Sequence, residues 1–325
     1  MPVAFAIRNS EAVLQIFQIT APIFLLIGLG YAAAMSGVLS REQVRGIGAF
    51  VITFAMPALL IKTLGTSPIQ QTMIPGYLVA YTLGSCVTFA AAFCVSRWLR
   101  RDNLSGSAIN AMGMSISNSG FVGYPLVAAA IGSPAVLGMA MGMLVENLLL
   151  IPLALVLAEA GKQQGGGWPT VLRMTFGRLL RNPVIIGIVI GLCVSLLAIE
   201  IPPLLLKPID MLAGVSAPLA LFVIGAGLFG MKARGVWIDA AWISTGKLIF
   251  HPLAVLCAFM LVPGVDPLMK TVGVLFACSP MMSIFPILGQ RFGLEDRCSA
   301  TLLVATVLSF LTISVALMFI DATPA

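Results

Sequence analysis

Charge is the scarcest resource in this chain. Only 18 Lys and Arg and 12 Asp and Glu occur among 325 residues, 9% of the total, where soluble domains carry about 25%. A globular protein in water cannot be built from so few solvated groups. Histidine is nearly absent, represented by His251 alone. The six cysteines (Cys86, Cys94, Cys193, Cys257, Cys278, Cys298) form no C-x-x-C or other metal-ligand spacing. Most lie in apolar runs and read as small buried hydrophobes. Metal sites and cofactors are therefore not expected. One histidine and no repeated Asp/Glu motif leave too few convergent groups for an intramembrane enzyme. No Walker A sequence occurs, so ATP is not a direct energy source. The first eleven residues form no basic n-region, and no small-residue cleavage site precedes the first apolar run. This predicts a first helix that also targets the chain, without a cleaved signal peptide. The net charge of +6 sits in short loops rather than on one face, so nucleic acid is not an expected partner.

What the chain has in abundance is apolar length. Hydrophobic residues make up 59% and the mean hydropathy is +1.06. The pattern predicts an all-α polytopic membrane protein in contact with lipid. Ten transmembrane helices are expected at about 12–36, 46–64, 73–96, 106–130, 135–158, 183–200, 208–230, 237–262, 269–289 and 299–320. Basic residues alternate between the loops. Arg41 and Arg45 follow span 1, and Arg97, Arg100 and Arg101 follow span 3. Lys162, Arg173, Arg178 and Arg181 follow span 5, Lys232 and Arg234 span 7, and Arg291 and Arg297 span 9. The opposite loops hold little beyond Lys62, Lys207 and Lys270. By the positive-inside rule the basic loops face the cytoplasm and both termini lie outside, in a cell inner (plasma) membrane.

The longest loop contains Gly-Gly-Gly and then "WPTVLRMTFGRLLRN", whose apolar and basic residues recur at helical spacing. It predicts a cytoplasmic linker over 161–182 with an interfacial helix. The linker separates residues 1–160 from 183–325, and the two parts resemble each other. Pro22 and Pro183, Pro57 and Pro218, and Pro125 and Pro286 each stand 161 residues apart, as do Gly30 and Gly191, and Gly132 and Gly293. The regularity predicts two five-helix repeats. Five is odd, so the second repeat enters the membrane from the opposite side.

Equivalent spans 4 and 9 are both interrupted near their centres. Span 4 contains "SISNSGFVGYPL" and span 9 "CSPMMSIFPIL". Broken backbone in hydrocarbon leaves polar groups that cost several kcal/mol unless protein or water meets them. Two breaks at equivalent positions predict crossing helices 4 and 9 that form a binding site. Half-helix N-termini there suit a carboxylate and C-termini a cation. Ser117, Asn118, Ser119 and Gly120 mark the first break; Ser279, Pro280 and Ser283 mark the second. Pro125 and Pro286 are expected to maintain the breaks.

Three ionisable residues fall inside other spans, where charge marks function by default. Glu146 lies in span 5, and Lys247 and His251 lie four apart in span 8. Lys247 would attract an anionic substrate, pair with Glu146 or snorkel. Glu146 is either a coupling carboxylate or a counter-ion. His251 is either a proton carrier or a histidine satisfied by its neighbours.

"SNSGFVGYP" in span 4, "NPVIIGIVIGL" in span 6, "GKLIFHPL" in span 8 and "RFG" closing span 9 resemble the auxin efflux carrier family, whose bacterial members include malonate and other organic-acid permeases. The resemblance implies a secondary transporter of a small organic anion such as malonate, malate or an auxin-like acid. It also implies elevator-like motion against a scaffold of spans 1, 2, 6 and 7, and a homodimer. The family's crossover asparagine falls on Asn118. Plant members usually place a proline before it, where this chain has Ser117. Their second crossover asparagine has no match beside Ser279 and Pro280. A sodium-coupled organic-anion symporter of the bile-acid type and a transporter-like membrane sensor are the alternatives.

Overall fold

The structure is a computed structural model that describes residues 21–66, 73–161, 177, 180–229 and 237–321, with side chains to residue 317. Regular structure among these residues is helical throughout. In chain order the helices are α1 (Ala21–Met35), α2 (Arg41–Gly65), α3 (Pro75–Leu99), α4 (Leu104–Ser115), α5 (119–131), α6 (Pro134–Ala160), α7 (Pro183–Leu196), α8 (Pro203–Leu228), α9 (Trp237–Leu261), α10 (Pro267–Ala277), α11 (Phe285–Gln290) and α12 (Glu295–Asp321). Among the described residues, seven stretches are long and apolar enough to cross a membrane: α2, α3, α4 with α5, α6, α8, α9 and α12. Three more, α1, α7 and α10, are shorter apolar helices. Large hydrophobic side chains such as Leu25, Leu204 and Leu261 stand exposed on the outside, as lipid contact requires. The expected linker 161–182 lies almost entirely outside the described residues, as do the loop cations Lys162, Arg173, Arg178, Lys232 and Arg234.

Several helices outrun their apolar cores. Hydropathy starts span 2 at residue 46, but α2 begins at Arg41. Ser40 caps it: its Oγ accepts from the Gln43 amide at 3.2 Å, and its own amide donates to Gln43 Oε1 at 2.8 Å. That capping box places Arg41 and Arg45 in the helix rather than a loop. Likewise α12 starts at Glu295, and Arg297 belongs to its first turn.

The ends carrying Arg100, Arg291 and Arg297 meet on one side of the bundle. Arg100 pairs with Asp239. Arg297 reaches both Asp239 (2.9 Å) and Asp102 (3.2 Å), and Arg291 reaches Glu159 (3.2 Å). Arg100, Asp239 and Arg297 thereby tie the ends of α3, α9 and α12 together, and Arg291 ties the end of α11 to α6. The cation–anion pairs form a network, which holds better than isolated surface pairs worth about 0–1 kcal/mol. Lys62 pairs with Asp210 between α2 and α8. Only Cys278 and Cys298 are buried. Cys193 and Cys257 are exposed, so the reading of buried cysteines fails for those two, which sit on outward helix faces.

Glycine brings two helix pairs into backbone contact. A Cβ on Gly30 would lie 2.0 Å from the Phe222 carbonyl oxygen, and one on Gly225 1.8 Å from the Ile27 carbonyl oxygen. Helices α1 and α8 therefore touch main chain to main chain. Helices α7 and α2 do nearly the same: a Cβ on Gly187 would fall 2.7 Å from Pro57 Cα and one on Gly191 3.0 Å from the Leu60 carbonyl oxygen. Gly225→Ala should force α1 from α8 and cost about 1–3 kcal/mol by overpacking. The check is a lowered thermal midpoint in detergent, with Gly227→Ala, which meets open space, as the unaffected control.

Candidate functional site

Helix α4 stops at Ser115, and Ile116 is extended (φ −112°, ψ 134°). Helix α5 starts after Asn118, whose Oδ1 accepts from the Phe121 amide at 3.2 Å. Asparagine is among the residues best suited to that capping position. Across from it, α10 ends at Ala277 and α11 begins at Phe285. The two interruptions touch. The Asn118 amide donates to the Pro280 carbonyl at 2.7 Å, and Asn118 Nδ2 donates to Ser283 Oγ at 2.7 Å. The break in each helix thus supplies hydrogen-bond partners to the other.

The prolines act somewhat differently from the expectation. The extended break covers residues 116–118, several residues before Pro125. Pro125 instead follows a wide turn at Ser119–Gly123, in which the Tyr124 amide reaches the Ser119 carbonyl five residues back. The same pattern precedes Pro57 (Val51–Ala55), Pro152 (Glu146–Leu150) and Pro252 (Gly246–Phe250). A proline has no N–H and its ring crowds the carbonyl four residues earlier. One extra residue in the turn relieves both problems. Pro286 sits in the first turn of α11, where a missing N–H costs nothing. Pro280, within the second break, lends it the carbonyl that Asn118 uses.

Two of these wide turns begin with or carry the intramembrane charges. Glu146 opens one in α6, and Lys247 lies in another in α9. Both are buried, and both reach the first break through Ser117. Glu146 Oε1 accepts from the Ser117 amide at 2.9 Å, while Lys247 Nζ donates to Ser117 Oγ at 2.8 Å. Ser119 Oγ lies 3.4 Å from each Glu146 oxygen. Lys247 Nζ also donates to the Ala277 carbonyl at 2.9 Å and meets His251 Nδ1 at 2.7 Å. Its three N–H groups are thus committed within the protein. An ammonium only donates, so His251 Nδ1 is the acceptor. His251 then carries its proton on Nε2, which faces Ser85 Oγ at 3.0 Å.

Each charge matches the helix end beside it. The carboxylate of Glu146 approaches the N-terminal side of α5, and the ammonium of Lys247 meets the last carbonyl of α10. Both placements are favoured by the helix dipole. Burying either ion alone would cost several kcal/mol. Together they are neutral, and Ser117 connects them.

The crossover therefore has two faces. Ser117, Ser119, Glu146, Lys247 and His251 gather on the buried one. On the other, Asn118 is also buried, at 5% exposed, but its partner Ser283 is exposed. Gly120 faces Met56 and Met143, leaving no room for a Cβ. Ser279 is buried beside Gly123, and its Oγ has no hydrogen-bond partner. Sequence reasoning missed Tyr81 and Ser85. Tyr81 donates to Glu146 Oε1 at 3.2 Å and lies 3.3 Å from Ser117 Oγ. Tyr77, Tyr81 and Ser85 recur every four residues, so one polar face of α3 carried the signal. Among the described residues no group of three His, Cys, Asp or Glu could hold a metal ion.

Comparison with known proteins gives the family. A family model described as "Membrane transport protein" matches residues 15–166 and 168–317. The chain belongs to that family, the auxin efflux carriers. This transporter is 28% identical over 304 residues to a Rhizobium meliloti (strain 1021) protein named "Putative malonate transporter", spanning 92% of this chain and 94% of the relative. It is 23% identical to the uncharacterized transporter YfdV of Escherichia coli (strain K12), over 89% and 92% of the two chains. A lysosomal cholesterol signaling protein of Mus musculus is 24% identical over 75% of the transporter but only 30% of its own length.

Proposed function

We propose that this protein is a secondary carrier of a small organic anion, working by alternating access at the crossover of α4–α5 and α10–α11. The observation that carries the reading is the contact of two broken helices at Asn118 and Pro280, backed by two buried opposite charges. The exposed Ser283 hydroxyl, with Asn118 Nδ2 buried directly behind it, would meet a substrate carboxylate, which would replace their mutual hydrogen bond. Ser117 and Ser119, with Gly120 and Ser279, shape the crossing behind them. Glu146 and Lys247 hold that shape from the buried face. A dicarboxylate such as malonate is the first candidate, since a full-length relative bears that name. The transporter would be a multi-pass protein of the cell inner membrane, with its ion-paired basic end in the cytoplasm and both termini outside.

Ten spans in two inverted repeats remain part of this proposal. Reciprocal packing supports it. Gly30 in α1 meets Phe222, and Gly191 in α7 meets Ile61, and both partners are again 161 residues apart. Gly132 and Gly293, the same distance apart, both adopt positive φ (88° and 73°). In that arrangement α1, α2, α7 and α8 form the scaffold, and the crossover helices move against it with α3, α6, α9 and α12.

Lys247 already occupies the α10 C-terminal carbonyl, the kind of group that coordinates a coupling cation in broken-helix carriers. Uptake should therefore be independent of sodium. Purified protein in liposomes, offered labelled dicarboxylates and monocarboxylates, should take up a carboxylate equally with sodium or potassium outside. A sodium requirement would favour the bile-acid type of symport. Specific binding without flux would point to a sensor.

A further inference from the structure

Helices α3 and α9 pack tightly at Gly84, where a Cβ would fall 2.5 Å from Val255 Cα. Toward the basic end, the first half of α9 packs on α12 instead. Between α3 and α9 this leaves an open-sided groove of about 790 Å³. Small residues create it: Ala91 and Ala92 on α3, Ala241 and Gly246 on α9. Met114 of α4 forms its floor and lies against Gly246, where a Cβ would come within 2.4 Å of the methionine sulfur. The lining is almost wholly apolar, and exposed Ile249 and Leu253 continue it onto the lipid-facing surface. Whatever fills this groove comes from the bilayer.

The mouth of the groove is of different character. Beyond Val95, α3 carries exposed Arg97 and Trp98, followed by exposed Arg101. Arg100 lies 5.3 Å from the ring of Trp242, which lines the groove, and the Trp242 Nε1 donor is buried without a partner. An apolar slot ending in cations and interfacial tryptophan matches a lipid with an anionic headgroup, because basic pockets between spans select such headgroups.

We infer that the α3–α9 groove is a binding site for an anionic phospholipid, with one acyl chain along Ala91, Ala241 and Met114 and the phosphate near Trp242 Nε1 and Arg101. The occupied site would lie against α4, whose end forms the crossover. This inference is independent of the transported substrate.

Native mass spectrometry of the full-length protein tests it, with phosphatidylglycerol and phosphatidylcholine of identical chains titrated into detergent. The protein should retain phosphatidylglycerol at least about tenfold more strongly. Ala241→Phe, which fills the groove from an exposed position, should reduce that retention at least about fivefold with little change in thermal midpoint. Arg101→Gln should remove the preference between the lipids. Equal retention of the two lipids by the wild type would overturn the proposal. So would undiminished phosphatidylglycerol binding in a folded Ala241→Phe protein. If that variant does not fold, Arg101→Gln decides: an unchanged lipid preference refutes the headgroup site. Displacement of phosphatidylglycerol by oleate as strongly as by more phosphatidylglycerol would also contradict it, since a chain alone would then suffice.

Discussion

Lys247→Met should abolish uptake while lowering thermal stability. The substitution removes the ammonium that holds Ser117, the Ala277 carbonyl and His251. Glu146 then remains buried without a compensating charge. Breaking a buried pair in this way costs about 3–5 kcal/mol. The two charges do not touch directly; both act on Ser117, so the crossover backbone should lose its shape first. Glu146→Gln combined with Lys247→Met removes both charges and should recover most of the lost thermal midpoint. Transport should stay absent, because methionine cannot hold Ser117 Oγ or the Ala277 carbonyl, although glutamine can still accept from the Ser117 amide. Thermal midpoints and uptake for the two singles and the double give the coupling directly. Wild-type uptake in the single Lys247→Met variant would remove the buried face from the mechanism.

Asn118→Ala should reduce organic-anion uptake by about 10- to 100-fold. That residue caps α5 through Oδ1 and reaches Ser283 through Nδ2. Loss of a cap costs about 1 kcal/mol. The lost hydrogen bond to Ser283 adds about 0.5–1.5 kcal/mol, and each 1.36 kcal/mol is worth about tenfold in a rate. Asn118→Asp separates the two roles. It keeps a capping oxygen but gives up the Nδ2 donor and brings a negative charge toward the substrate. It should keep the α5 cap and still fail to transport anions. Ser283→Ala should have a smaller effect, about threefold to tenfold, because the exposed hydroxyl is backed by water.

Much of this architecture was legible because lipid imposes few solutions on a backbone. Apolar runs located the helices, and polar residues inside two of them located the breaks at Asn118 and Ser279. The pairing of those breaks depended on the 161-residue offset. Helix ends were less legible, since hydropathy stops where charge begins. The signal at Ser40 and Gln43 was present but belongs to capping chemistry rather than hydrophobicity. The role of the prolines was also displaced. Pro125 announced an irregular helix, yet the irregularity it causes is a wide turn, and the extended break is held by Asn118. The division into an accessible and a buried face could not be read from sequence. Ser117 and Asn118 are neighbours, yet their side chains take separate partners, Lys247 for one and Ser283 for the other. Tyr81 joins the buried face only because α3 and α6 place it beside Glu146 across 65 positions of sequence.

The most direct test of the account is uptake of labelled malonate and other small carboxylates by the purified transporter in liposomes, with Asn118→Ala measured alongside for both binding and flux. The account predicts saturable, ATP-independent uptake of at least one carboxylate by the wild type. It predicts loss of both binding and flux in a variant whose thermal midpoint shows it folded. Binding and transport of every organic anion left intact by Asn118→Ala would contradict the crossover site.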